Sequence, residues 1–296
     1  ASGNEDGTLK LSWTAPEKGK NGGYINKSQL SYSAYTVDDE GYANLYEENI
    51  KGNSVSLAGL DNTGEQRFEF FGVQAVNKDG ESDIMPSNSV IMGDAYTLPF
   101  ADSFANGELA YGIWYSDRTG ANGFALNDMT SADNDGGCIS FQAAEAKAIA
   151  SFCSGKIALN GCNSPVLTFD YYCNPGSEDI LLAEINRAYI DTTVVKTINF
   201  TQETGVAGWR HVVVSLQQFK SAPYIQLVFL SQIAKADNAV MIDNIKIENN
   251  PELSVNDIMV DAAKDKNVYD IVGRRQKSTG LHNGIYIKGG KKIVVK

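Results

Sequence analysis

The sequence predicts an all-β protein, and three observations carry that expectation. Short runs with period-two alternation recur along the chain, Leu9-Lys10-Leu11-Ser12-Trp13 and Phe68–Val76 among them. These runs end in Gly, Asn and Asp turns, to which the 28 glycines contribute. Helical periodicity is nearly absent: its best stretch, Ala143–Ala150, makes about two turns, too short for a helical layer. Many short strands punctuated by turn residues build sandwiches or barrels. At about 100–200 residues per domain, 296 residues predict two domains and a small third piece.

The first unit is expected over residues 1–93. Its alternating runs are Leu9–Trp13, Leu30–Val37, Val55–Leu60 and Phe68–Val76, with Asp38-Asp39-Glu40-Gly41 as a polar hairpin tip. The segments LKLSWTAP, SYSAYTV, NSVSLAGL and RFEFFGVQAVNKDGES resemble the strands of a fibronectin type III domain. That resemblance implies a core Trp at Trp13, a Leu closing a turn at Leu60, and a strand end running from Val73 to Ser82. Only Ala1–Gly7 precede the Trp strand, so the family's first strand is expected to be missing or very short.

The second unit is expected over residues 94–250. It opens with YTLPFADSF (Tyr96–Phe104) and closes with AVMIDNIKIE (Ala239–Glu248). Between them lie Ser154–Cys173, Gly208–Phe219 and Tyr224–Gln232. Taken in order, these pieces resemble the adhesin-type jelly roll of Bacteroidetes surface proteins. That family covers the cleaved-adhesin modules of gingipains and the choice-of-anchor J modules, and is distantly similar to MAM domains. A β-sandwich of this kind sets its first and last strands side by side.

Residues 251–296 form a tail that starts at Pro251 after Asn249-Asn250. Its segments VYDIVGRR, GIYI and GGKKIVVK read as three short strands, with Gly289-Gly290 as a hairpin turn. They resemble the C-terminal sorting domain of Bacteroidetes proteins exported by type IX secretion. The whole is therefore expected to be a fibronectin type III-like sandwich, a jelly-roll β-sandwich and a short β segment.

Charge and composition exclude several functions. The formal charge is −11, yet residues 273–296 carry seven Lys/Arg and no Asp/Glu, which leaves −18 (−11 minus 7) on residues 1–272. So acidic a body repels phosphate backbones and anionic lipid, so nucleic acid is not an expected partner. No apolar run reaches the roughly 20 residues needed to cross a bilayer as a helix. The two histidines, His211 and His282, belong to no metal or triad pattern, and no phosphate-binding glycine motif is present.

Asp102, Asp243 and Asn244 are the candidate metal ligands. In the resembled family, a calcium ion often sits where the opening strand meets the closing Asp-Asn-Ile strand. Calcium takes six to eight oxygens. Asp102 matches the opening acid and Asp243-Asn244 the closing pair, while Ala105 stands where many relatives carry a second acid. The loop Asp133-Asn134-Asp135-Gly136-Gly137 is oxygen-rich but lacks the downstream Glu of an EF-hand, and such clusters are mostly turns.

Candidate ligand-binding residues are Trp114, Tyr115, Asp117 and Asn122, an aromatic pair running into a polar, Gly-rich loop. On Val166–Cys173, Leu167, Phe169, Tyr171 and Cys173 share an apolar face, while Val166, Thr168, Asp170 and Tyr172 share the other. Trp209 reads as packing. Cys138, Cys153, Cys162 and Cys173 lack Cys-x-x-Cys spacing; they are expected to form at most one disulfide, with Cys153 and Cys162 the nearest candidates, or to be buried thiols.

These features lead to a monomeric, non-enzymatic adhesin or binding protein, secreted or on the outer cell surface. It would recognise a host protein or glycan through the jelly roll, with calcium as a structural cofactor. The alternative is the non-catalytic C-terminal part of a larger surface peptidase or glycosidase.

Overall fold

The computed structural model describes residues 1–3, 8–38, 41–119 and 123–254, and within the tail 268–270, 275–276, 284–288 and 291–295. Every regular strand pair is antiparallel. No helix among the described residues is long and apolar enough to cross a membrane. The Ala143–Ala150 stretch is a loop running into a strand.

The first unit comprises β1 (Ser2–Gly3), β2 (Leu9–Ser12), β3 (Ser31–Val37), β4 (Ala43–Ile50), β5 (Ser54–Leu57), β6 (Arg67–Asn77), β7 (Gly80–Glu81), β8 (Met85–Pro86) and β9 (Val90–Met92). One sheet has the order β1-β2-β5. The other runs β4-β3-β6, with β7, β8 and β9 all pairing β6. Alternation decides the facing: on β2, Leu9 and Leu11 are buried while Lys10 and Ser12 are exposed. The sheets enclose Leu11, Tyr32, Ala34, Leu57, Phe71 and Val90, and Trp13 packs on Tyr32 at 5.1 Å. The two-residue β1 pairs β2, Gly3 opposite Leu9.

The second unit comprises β10 (Phe100–Asp102), β11 (Trp114–Thr119), β12 (Ala125–Asn127), β13 (Cys138–Gln142), β14 (Ala148–Ser154), β15 (Pro165–Cys173), β16 (Ile180–Arg187), β17 (Asp191–Asn199), β18 (Gly208–Ser215), β19 (Ile225–Ile233) and β20 (Ala239–Asn249). A six-stranded sheet runs β12-β13-β20-β15-β18, with β10 beside β20. A five-stranded sheet runs β11-β14-β19-β16-β17. The opening strand does lie against the closing one, Phe100 opposite Ile247. Leu167, Phe169, Tyr171 and Cys173 fill the space between the sheets as their alternation requires, against Phe229, Phe200 and Ile242. All four cysteines are buried free thiols, so no disulfide joins Cys153 to Cys162.

The described residues of the tail form a helical turn, α1 (Pro251–Ser254), then β21 (Val268–Asp270), β22 (Arg275–Gln276), β23 (Gly284–Lys288) and β24 (Lys291–Val295). Among the described residues there are four strands where three were expected: β22 is the additional one, and it pairs β21. The proposed turn residues Gly289 and Gly290 lie outside the described residues, but the flanking Lys288 and Lys291 are paired.

The two sandwiches meet through specific bonds. Gln66 donates from Nε2 to the Lys156 carbonyl and accepts from the Lys156 amide. The Ile91 amide donates to the Tyr189 hydroxyl, and the Gly3 amide to the Tyr189 carbonyl. Gly3 passes so close to Ala188 that a Cβ there would fall 1.8 Å from the Ala188 carbonyl oxygen, a place only glycine can occupy. Lys156, 2% exposed, sends its ammonium into the junction, 2.7 Å from Asn62 Oδ1 and 5.1 Å from the centre of the Tyr224 ring.

Candidate functional site

The junction reaches β11, an edge strand of the five-stranded sheet. On β11 the alternation turns Trp114 inward and Tyr115 outward, and neither is free to meet a ligand. Trp114 is a core residue, 9% exposed. Its ring stacks on Phe152 at 4.6 Å, and its Nε1 donates to Asp102 Oδ2 at 2.9 Å. Tyr115 is opposite Cys153 and lies edge-on to Phe68 of the first unit at 5.2 Å. Burial, with Cys153 and Tyr189 beside it, pushes its hydroxyl pKa far above the ordinary range. The expected platform at Trp114 and Tyr115 is therefore corrected: one ring is core, the other is covered by the neighbouring sandwich. The Asp117 backbone pairs with Ser151, while its side chain and all of Asn122 lie outside the described residues.

The metal candidates also separate. Asp102 is 3% exposed and fully engaged: Oδ1 accepts from the Phe104 amide, and Oδ2 from the Ala110 amide and Trp114 Nε1. Burial raises its pKa, and these three bonds oppose the rise. It anchors the loop after β10 through these bonds. Asn244 is engaged elsewhere. It sits at a β-bulge, where Asn244 and Ile245 stand against Phe169 alone, and it takes the left-handed φ of 50°. Its Nδ2 donates outward to Asp170.

Asp243 instead meets the loop set aside as a turn. The carboxylates of Asp133, Asp135 and Asp243 lie within 4.8 Å of one another. Asp243 is wholly buried and accepts from the amides of Ala132 and Asn244. Burial, with Asp133 and Asp135 adding to it, pushes its carboxyl up to about 6. Burial, with Asp243 and Asp135 adding to it, pushes the nearby Cys138 thiol up to about 12. Asp135 Oδ1 is buried with no hydrogen-bond partner. Three converging carboxylates, one with an orphaned oxygen, form an all-oxygen donor set suited to a hard divalent cation such as calcium.

The six-stranded sheet presents a different outer face. Its strand β15 and the edge strand β18 put Tyr172 opposite Trp209 and Asp170 opposite His211. The Tyr172 and Trp209 rings meet edge to face at 5.6 Å and 87°. Next to them Asp170 Oδ1 contacts His211 Nδ1 at 2.8 Å, and Oδ2 accepts from Asn244 Nδ2 at 3.0 Å. Tyr172 and Trp209 are half-buried, and His211 is exposed. Sequence alternation had placed Asp170 and Tyr172 on this non-core face. It missed Trp209, whose odd phase relative to the buried Val212 and Val214 was the available signal. An aromatic pair with a fixed carboxylate, amide and imidazole alongside offers apolar contact and directed hydrogen bonds together.

No protein-family model matches the chain, and no curated protein matches it in sequence. Solved structures do resemble it. The K1 cleaved adhesin domain of Lys-gingipain from Porphyromonas gingivalis W83 is 15% identical, with a TM-score of 0.40, over 51% of this chain and 98% of that one. TmCBM61, solved in complex with β-1,4-galactotriose, is 10% identical, with a TM-score of 0.40, over 50% of this chain and 94% of that one. The glycoside hydrolase domain of Endo-D from Streptococcus pneumoniae R6 is 12% identical, with a TM-score of 0.40, over 53% of this chain and 28% of that one.

Proposed function

We propose that this chain is a non-enzymatic surface or secreted binding protein that holds a glycan on the outer face of its six-stranded sheet. The observation that carries this reading is the Tyr172–Trp209 pair beside the Asp170–Asn244–His211 cluster. A sugar lays an apolar C–H face on an aromatic ring while its hydroxyls take directed hydrogen bonds, and both parts are present within neighbouring strand positions. The first sandwich, read as fibronectin type III-like, and the jelly roll, read as adhesin-type, fit a monomeric protein that meets a host glycan. The tail fits a sorting segment.

The test is a glycan array with the full chain and with Trp209→Ala. The variant is expected to lose roughly tenfold or more of the signal. Losing the edge-to-face contact should cost only about 1 kcal/mol of stability. Equal glycan signal from wild type, Trp209→Ala and Asp170→Ala would sink the assignment.

Calcium belongs to this reading as a structural ion. Asp133, Asp135 and Asp243 would hold it, relieve their mutual repulsion and pin the 131–137 loop to β20. Chelation with EDTA is expected to lower the melting temperature of the wild type, and Asp243→Asn to abolish the response. An unchanged melting curve after chelation and calcium re-addition rejects the ion.

A further inference from the structure

The first unit has a cleft of its own, separate from the glycan face. It opens at the end of that sandwich where the β3–β4 hairpin parts from the loop between β5 and β6, and it holds about 300 Å³. Phe71 and Met92, both core residues, form an apolar floor. The rim carries the carboxylates of Asp38, Asp61 and Glu69. Arg67, the cation among the lining residues, is already committed. Its Nε donates to Glu69, and its two terminal nitrogens donate to the carbonyls of Thr63 and Asp61. Asp38 accepts from the Tyr42 amide and from Asn44 Nδ2, and by formal count the lining carries three carboxylates against one guanidinium.

This combination selects a ligand chemistry. A lysine side chain has an apolar stem and a compact ammonium, and it settles with the stem on apolar surface and the head toward polar groups. The cleft is at the small end of ligand pockets, sized for one side chain. Asp61 is pre-set for the head: its Oδ1 accepts from both the amide and the hydroxyl of Thr63. Those bonds hold its carboxyl below the usual range.

We propose that this cleft binds a lysine side chain of a partner protein, with the stem over Phe71 and Met92 and the ammonium among Asp38, Asp61 and Glu69. The first sandwich then carries a recognition site independent of the glycan reading. A protein partner and a glycan would be held by different sandwiches of one chain.

The test is a methyl NMR titration of the full chain with Nα-acetyl-lysine N-methylamide. The Met92 methyl resonance is expected to move saturably, with an affinity that falls as salt is added. The norleucine analogue has an apolar stem without the ammonium, and it should bind roughly tenfold more weakly. Asp61→Asn keeps the acceptor that holds Thr63, so the turn survives while the charge is lost. It should weaken lysine binding by a similar factor. A Met92 methyl that stays still, or that moves equally with the norleucine analogue, overturns the proposal on the wild-type protein alone.

Discussion

Trp114→Ala is expected to destabilise the second unit by about 3–5 kcal/mol, the cost of deleting a large aromatic from a packed core. Trp114 stacks on Phe152 and contacts Phe100 and Phe104, so the cavity would open among rings too large to collapse into it. A second cost arises at Asp102, which would stay buried with one donor fewer. Trp114→Phe separates the two effects. It keeps most of the stack and removes only the indole N–H, for an expected loss of about 1–3 kcal/mol. Urea denaturation of both variants measures this. A Trp114→Ala protein as stable as wild type would mean that the ring is not core.

Lys156 should contribute stability that rises with pH. Burial, with Arg67 adding to it and Asp94 opposing, lowers its pKa to about 8 in the folded state. The unfolded chain keeps that proton up to the ordinary lysine value of about 10.4. Between these values the unfolded state binds more protons, so stability increases as pH rises and is flat below about 8. The gain between pH 7 and about 9.5 should reach about 2 kcal/mol. The buried Cys138 thiol opposes it from the ordinary thiol value of about 8.5 upward, because burial holds it at about 12 in the folded state. Above about pH 10 the junction phenols oppose it too, because burial holds Tyr224 at about 12 and Tyr189 higher still. The stability difference between wild type and Lys156→Met isolates this contribution, since the thiols and phenols are common to both. It should change by that amount in favour of wild type between pH 7 and about 9.5. A difference that does not change with pH would reject the assignment to Lys156.

Local pattern made much of the fold legible. The apolar face of Leu167, Phe169, Tyr171 and Cys173 follows from period two alone, as does the outward facing of Asp170 and Tyr172. The pairing of first and last strands followed from the order of the segments. What stayed hidden was mostly a property of distant partners. Tyr115 alternates outward correctly, but its exposure is decided by Phe68 of another sandwich. Asp243 has Asp133 and Asp135 as neighbours only because β13 pairs β20. Asn244 carries its amide to the opposite face because of a bulge that no composition signal marks. Trp209 gains its role from a register that places it opposite Tyr172.

The junction has a mechanical meaning. The chain between the sandwiches is not a slack tether: the Asp94 amide bonds back to Gly64, and the Tyr96 amide to Lys156. A pull on a ligand held by one sandwich would pass into the other through the Gln66–Lys156, Ile91–Tyr189 and Gly3–Tyr189 bonds, loaded side by side. Bonds that share a load fail together and at higher force than bonds that open in turn. In flowing surroundings the two sandwiches would bear tension as one stiff strut.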